Sequence, residues 1–322
     1  MRRSLAPVKP GSLLLVACSG GPDSLALAAA TAFAAPRLGL RAGAVTIDHG
    51  LQEGSAAQAS QVAVTLRELG IDPVHQVRVE VAARAAGYPG PEAAARQARY
   101  AAFEQVLMTS GAAAVLLGHT MDDQAETVLL GLARGSGARS IAGMAAVTGH
   151  YLRPLLGLRR QQTVAACAAL GLRPWHDPQN QDESFSRTKV RLRLLPLMEE
   201  LIGPGVTESL ARTAGLLRAD ADLLDELAAQ RRDELIGGWG PAGPQVPRTV
   251  PVSELADLAG PIRTRLLKQA AVAAGVPAGA LTAGHVADLD LLITGWHGQR
   301  WVDLPGGIRC QRRYGRLHFT QR

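Results

Sequence analysis

Candidate strands recur as short runs through the first half of this chain, with helix-length segments between them. That alternation restricts the fold more than any other feature. The runs lie at 13–18, 43–48, 74–79 and 113–118, and helices are predicted at 24–35, 55–69, 92–110 and 121–133. The first run, Leu13-Leu14-Leu15-Val16-Ala17-Cys18, holds no polar residue, as a strand covered on both faces requires. Strands alternating with helices build right-handed βαβ units, which predicts an α/β fold: a parallel sheet with helices on both faces. In such a sheet ligands sit beyond the carboxyl ends of the strands, where the strand order reverses. Three of the four runs end in polar residues, at Ser19, at Asp48-His49-Gly50 and at Gly118-His119.

The second half reads differently. A fifth strand at 150–155 and a helix at 159–170 precede a polar, proline-interrupted loop at 174–182. A helix at 186–202 ends at Gly203-Pro204-Gly205, which places a domain boundary between 1–203 and 204–322. Beyond it come a long Leu/Ala-rich helix at 206–236, a Gly/Pro loop at 237–247 and shorter helices. A small meander follows at 301–304, 308–313 and 317–319, turned by Pro305-Gly306-Gly307 and Tyr314-Gly315. The expectation is a smaller, mostly helical domain with a short β tail.

The chain has 322 residues, and no apolar run approaches the roughly 18 residues that a membrane span needs. Met1-Arg2-Arg3-Ser4 is not followed by a signal-peptide pattern, so none is expected. Cys18, Cys167 and Cys310 are isolated, which points to a reducing cytoplasm and away from zinc or iron–sulfur chemistry. The formal net charge of +6 permits a polyanionic partner, and its clustering says more. Arg187, Lys189, Arg191 and Arg193 have no acid among them, and six arginines after residue 298 face the single acid Asp303.

Ser19-Gly20-Gly21-Pro22-Asp23-Ser24 stands where the first strand becomes a helix. Two glycines let a ligand approach the main chain, Pro22 suits a first helical position, and the free N–H groups of a new helix favour a phosphate. No Gly-Lys-Ser/Thr ending is present, so this is not a Walker-type loop. Asp23 stands in place of the lysine, and its charge requires a metal ion between it and a phosphate. The next signal is Gly118-His119-Thr120-Met121-Asp122-Asp123-Gln124-Ala125-Glu126-Thr127, again at a strand-to-helix turn. Asp123 and Glu126, three apart, share a helix face that suits either a metal or a small cationic co-substrate. Acids in a first helical turn also serve as ordinary caps. Arg96 and Arg99 lie one turn apart on a predicted helix, with Glu92 a turn before Arg96. Arg134-Gly135-Ser136-Gly137 reads as a flexible basic loop.

Together these pieces resemble the tRNA(Ile)-lysidine synthases, members of the N-type ATP pyrophosphatases with an adenine nucleotide alpha hydrolase-like fold. The matching pieces are the 19–24 loop, Asp48-His49-Gly50-Leu51, E-x-x-x-R-x-x-R-Y-x-x-F from Glu92 to Phe103, and GHxxDDQxET from Gly118. RGSG from Arg134 with Ile141-Ala142-Gly143-Met144, Arg153-Pro154-Leu155-Leu156 and Asp177-Pro178-Gln179-Asn180 then follow in order. The resemblance covers roughly residues 12–200, and Asp303-Leu304-Pro305-Gly306-Gly307 fits more loosely. Two departures stand out: Thr120 replaces a second histidine, and Thr188 replaces an asparagine after Arg187.

The resemblance implies ATP as substrate with Mg²⁺ at Asp23, and ligation of free lysine to the wobble cytidine of the isoleucine tRNA with a CAU anticodon. It implies ATP binding by Ser19, Gly20, Gly21, Pro22, Asp23, Ser24, Asp48, His49 and Gly118, and catalysis by Asp23, Arg96 and His119. Lysine falls to Asp123 and Glu126, and tRNA to Arg134, Arg187, Lys189, Arg191 and Arg193. The rivals are a tRNA thiolase, an amidating ATP pyrophosphatase, and a non-catalytic RNA-binding module.

Overall fold

The computed structural model describes residues 1–48, 50, 54–79, 91–135, 137–175, 177–236, 248–298 and 301–322. The chain forms two compact units, residues 1–133 with 143–214 and residues 134–142 with 215–322.

The first unit begins with a single helical turn, α1 (Arg2–Leu5), and then alternates strand and helix. Its elements are β1 (Leu13–Ala17), α2 (Pro22–Ala34), β2 (Arg41–Asp48), α3 (Ser55–Glu68), β3 (Val74–Arg78), α4 (Pro91–Ser110), β4 (Ala114–Leu116) and α5 (Met121–Ala133). The sheet runs β3-β2-β1-β4-β6-β5, with β5 at Val147–Thr148 and β6 at Tyr151–Leu152. All pairs are parallel except β5 with β6. The chain leaves β1 in one direction through β2 and β3, then returns to β1's other side with β4. The crevice for a ligand therefore opens between the ends of β1 and β4.

The apolar runs work as the double-faced reading requires. Leu14, Val16 and Leu116 pack with Leu25, Leu27, Leu66 and Cys167 on one side of the sheet. Leu13, Leu15, Val115 and Leu117 pack with Phe103, Val106 and Leu107 of α4 on the other. Leu14 and Leu15 are each fully buried, so cutting either to alanine costs ~2–5 kcal/mol. Gly43 in β2 cannot grow a side chain, because a Cβ there would lie 2.9 Å from the Pro73 carbonyl oxygen.

Two elements depart from the prediction. The expected strand 150–155 is only two residues long in β6 and folds back against β5 through Gly149 at φ +55°. Pro154 has no N–H to extend a ladder, and the Arg153 N–H turns to Ala146 O. The expected helix 186–202 is α8 (Ser186–Lys189), a π-helical stretch Val190–Leu194, and α9 (Leu195–Ile202). Pro196 removes one helical N–H and crowds the carbonyl of residue 192, so the turn before it widens. Between β6 and α8 lies α7 (Arg160–Ala169), packed on α2.

The second unit contains α6 (Ala138–Ile141), most of α10 (Val206–Ile236, which contains the division), α11 (Val252–Ala256), α12 (Gly260–Ala273) and α13 (Ala283–Thr294). Its antiparallel sheet has the order β7-β10-β9-β8, made of Arg248–Pro251, Arg316–Gln321, Ile308–Arg313 and Val302–Leu304 respectively. The meander was legible in the sequence, whereas β7, with a proline at its end, was not. β7 is an edge strand paired only with β10, where proline is tolerated. Val250, Leu304, Ile308, Cys310, Leu317 and Phe319 share one core with Leu266, Leu267 and Leu289. The 237–247 loop of the prediction lies outside the described residues. No described helix is long and apolar enough to cross a membrane.

Candidate active site

The loop after β1 is closed by its own side chains. Ser24 Oγ donates to Gly21 O at 2.9 Å and lies 3.2 Å from the Ser19 N–H. Gly20 takes φ +87°, and a Cβ there would come within 2.6 Å of Val62 Cγ2, so only glycine fits. Pro22 opens α2, which leaves the first N–H groups of that helix facing outward from the strand end. Gly118, at the end of β4, lies so close that a Cβ would sit 3.1 Å from the Asp23 carbonyl carbon. The loop and the start of α5 are thereby pressed together, as strand order alone predicts.

Three acids from two helices meet there. Asp23 stands in the first turn of α2, and Asp123 and Glu126 lie one turn apart on α5. The N–H and hydroxyl of Thr120 both donate to Asp123 Oδ2, at 2.8 and 2.9 Å. Glu126 is fully buried and Asp123 nearly so. Buried carboxylates demand counter-charge, and three guanidiniums supply it. Arg160, the first residue of α7, places Nε 3.0 Å from Asp23 Oδ2, Nη2 2.9 Å from Asp123 Oδ1 and Nη1 3.7 Å from Glu126 Oε1. Arg191 grips Glu126 with two nitrogens at 2.6 and 3.0 Å and reaches Asp123 Oδ1 at 3.4 Å. Arg187 Nε lies 3.2 Å from Glu126 Oε2, and its Nη2 donates to Thr127 Oγ1. The Thr163 hydroxyl donates to the second oxygen of Asp23.

These contacts set the titration of the site. Burial pushes the Glu126 carboxyl up, and Arg191 and Arg160 only partly offset it. Burial also pushes Asp123 up, but Arg160, the Thr120 N–H, His119 and Arg191 outweigh it, and its pKa is lowered. His119 is lowered to about 4, chiefly by burial, with Arg153, Arg96 and Arg187 acting the same way and Asp123 opposing. It is neutral at pH 7, and its Nδ1 is buried without a hydrogen-bond partner among the described residues.

The other expected residues are placed as follows. Asp48 is buried at the end of β2 and accepts from the Gly50 N–H at 2.9 Å, while His49 lies outside the described residues. Arg96 is exposed on α4, stacked 4.9 Å over the Tyr100 ring. Arg134 is exposed, and Ser136 of its loop is outside the described residues. Lys189 is exposed, and Arg193 pairs with Glu183. Arg187 and Arg191, expected at the tRNA, make their ion pairs with the acid pair. Sequence reasoning missed Arg160 and Thr163 altogether. The signal was the tandem Arg159-Arg160 at a helix start, where the dipole disfavours cations and an acidic partner is therefore implied.

The chain matches the family described as "PP-loop domain" over residues 2–198 and that described as "TilS substrate binding domain" over residues 251–318. A tRNA(Ile)-lysidine synthase from Thermobifida fusca is 58% identical over 98% of this chain and 94% of its own length. One from Streptomyces coelicolor is 52% identical over 96% of this chain and 85% of its own length. One from Mycobacterium tuberculosis is 46% identical over 92% and 86%. A solved U34-tRNA thiolase from Methanococcus maripaludis, with its [4Fe-4S] cluster, covers 67% of this chain and 78% of its own, with TM-score 0.56 and 17% identity. That likeness speaks to the fold alone. With a glycine-bound loop and a buried acid pair at the sheet's switch point, and relatives this similar along nearly the whole chain, the protein belongs to the tRNA(Ile)-lysidine synthase family of PP-loop enzymes.

Proposed function

We propose that this chain joins free lysine to C2 of the wobble cytidine of the CAU-anticodon isoleucine tRNA, in two steps that share one site. In the first, the cytidine C2 oxygen attacks the α-phosphate of ATP, forming adenylated tRNA and releasing pyrophosphate. In the second, the lysine ε-amine attacks C2 and AMP leaves. The wobble base lies in a single-stranded loop, from which it is drawn into a pocket at small cost.

The observation that carries the reading is the buried Asp123–Glu126 pair beside the 19–24 loop, in which Asp123 Oδ1 and both Glu126 oxygens face cationic nitrogen. Carboxylates that hold guanidiniums at 2.6–3.0 Å are suited to an ammonium in the same place. The loop's N–H groups and the α2 N-terminus would hold the phosphates. Neutral His119, with its open Nδ1, offers a hydrogen bond to substrate rather than a charge.

Mg²⁺ fits Asp23 as a site built from one carboxylate plus substrate phosphates, the usual pattern for that ion, and no cluster of three metal-ligating side chains occurs among the described residues. When bound it would neutralise charge on the pyrophosphate leaving group. Asp23 would hold it, with Thr163 fixing the carboxylate's orientation. We further infer that residues 1–203 carry the chemistry and 204–322 hold tRNA, in the cytoplasm. A thiolase reading is disfavoured because Cys18, Cys167 and Cys310 are all buried and unpaired, with burial pushing each thiol up.

Mass spectrometry of the isoleucine tRNA after incubation with ATP and lysine tests the proposal. The expected result is a lysine-dependent mass gain on the wobble cytidine with AMP and pyrophosphate released; ADP and phosphate as products would refute it. Asp23→Ala is expected to abolish both products while leaving the circular dichroism spectrum unchanged.

A further inference from the structure

We propose that Arg160 is a positioning residue that couples the nucleotide half of the site to the amino-acid half, so that phosphate at the 19–24 loop raises the affinity of Asp123 and Glu126 for an ammonium. The inference rests on reading the acid pair as the lysine seat.

One guanidinium reaches acids of both halves: Asp23 at 3.0 Å on the loop side, and Asp123 at 2.9 Å and Glu126 at 3.7 Å on the other. Its donors are fixed in a planar fork, so it cannot move toward one acid without leaving another. The backbone beneath it is anchored, since the Arg160 N–H donates to Asp122 Oδ2 at 2.7 Å. The side chain is therefore the mobile part of a fixed mount. Its charge is permanent, because an arginine guanidinium does not lose its proton inside a protein.

Without nucleotide, three guanidiniums serve Asp23, Asp123 and Glu126. A polyphosphate at the loop, net negative even with the Mg²⁺ that Asp23 would hold, adds negative charge beside the Asp23 end of that fork. Arg160 is drawn toward it, and the Glu126 contact, already its longest, lengthens further. The acid pair then keeps Arg187 and Arg191 but loses part of one counter-charge, which in a buried site strengthens its hold on an ammonium. Linkage makes the effect reciprocal: lysine must tighten nucleotide binding by the same factor. The physical result is an order of assembly, nucleotide first and amino acid second, imposed by a single side chain.

The test is calorimetric titration of the full-length protein with L-lysine, with and without saturating α,β-methylene-ATP and Mg²⁺. The expected result is a lysine Kd at least about five-fold lower with the analogue, at the low end of ordinary couplings. Arg160→Gln is expected to make the two Kd values coincide, and Arg160→Lys, which keeps the charge, to restore part of the difference. An unchanged or higher Kd with the analogue in the wild type overturns the proposal, and so does undiminished coupling in Arg160→Gln. Lysine binding in neither state removes the lysine-seat reading, and this inference with it. The wild-type pair of titrations decides the question even where a variant fails to fold.

Discussion

Replacing Glu126 by glutamine removes one charge from the most enclosed position of the site while keeping its shape. Glu126 is fully buried and receives Arg191 at 2.6 and 3.0 Å and Arg187 at 3.2 Å. A hydrogen bond to a charged group contributes about 1.5–3 kcal/mol, so losing the one made to a lysine ammonium should raise the lysine KM by roughly 10–150-fold. The ATP KM should change far less, at most by about the five-fold coupling that Arg160 carries, because Glu126 meets the 19–24 loop only through the long arm of that side chain. Two guanidiniums would lose a counter-charge, but burial already disfavours the charged Glu126 carboxyl, so the two effects oppose each other and stability should change little. Steady-state assays of AMP release with lysine and ATP varied separately measure the first two effects, and urea unfolding the third. An ATP KM that rises as much as the lysine KM would refute the lysine seat. So would loss of tRNA adenylation at saturating lysine, which would assign the pair to the metal or to the fold.

Other outcomes follow from the same contacts. Gly20→Ala should cost at least ~1 kcal/mol and lower the melting temperature, since it forces a positive φ and a 2.6 Å clash with Val62; an unchanged melting temperature would be inconsistent with the loop as described. His119, lowered to about 4 from its ordinary 6.5, binds fewer protons folded than unfolded, so its contribution to stability is full above pH 6.5 and fades as pH falls through that window to 4. That contribution amounts to up to ~3 kcal/mol at neutral pH, and His119→Asn should flatten the pH dependence of urea unfolding between pH 4 and 6.5. Lys189 is exposed and makes no ion pair among the described residues, so Lys189→Ala should lower the log–log salt slope of tRNA binding by about 0.7–0.9 with ATP affinity unchanged; an unchanged slope would make it plain surface charge.

The sequence by itself determined the sheet, because period and length carry that information locally. A run such as Leu13–Ala17 can be satisfied only by cover on both faces, and helix-length spacers make its neighbours parallel. The two strand-to-helix turns were legible for the same reason, since Gly20 with Pro22, and Gly118 with the acids of α5, each fall within ten residues of chain. Tertiary structure alone decided where the charges go. Arg187 and Arg191 read as a basic face, because no acid lies between residues 187 and 193; folding sets them on Glu126, more than sixty residues away. Arg160 lies 137 residues from Asp23 and 37 from Asp123, and no local pattern links them. Helix and strand follow from neighbours along the chain, whereas a buried carboxylate takes whatever cation the fold brings within about 3 Å, because leaving it unpaired away from water costs several kcal/mol.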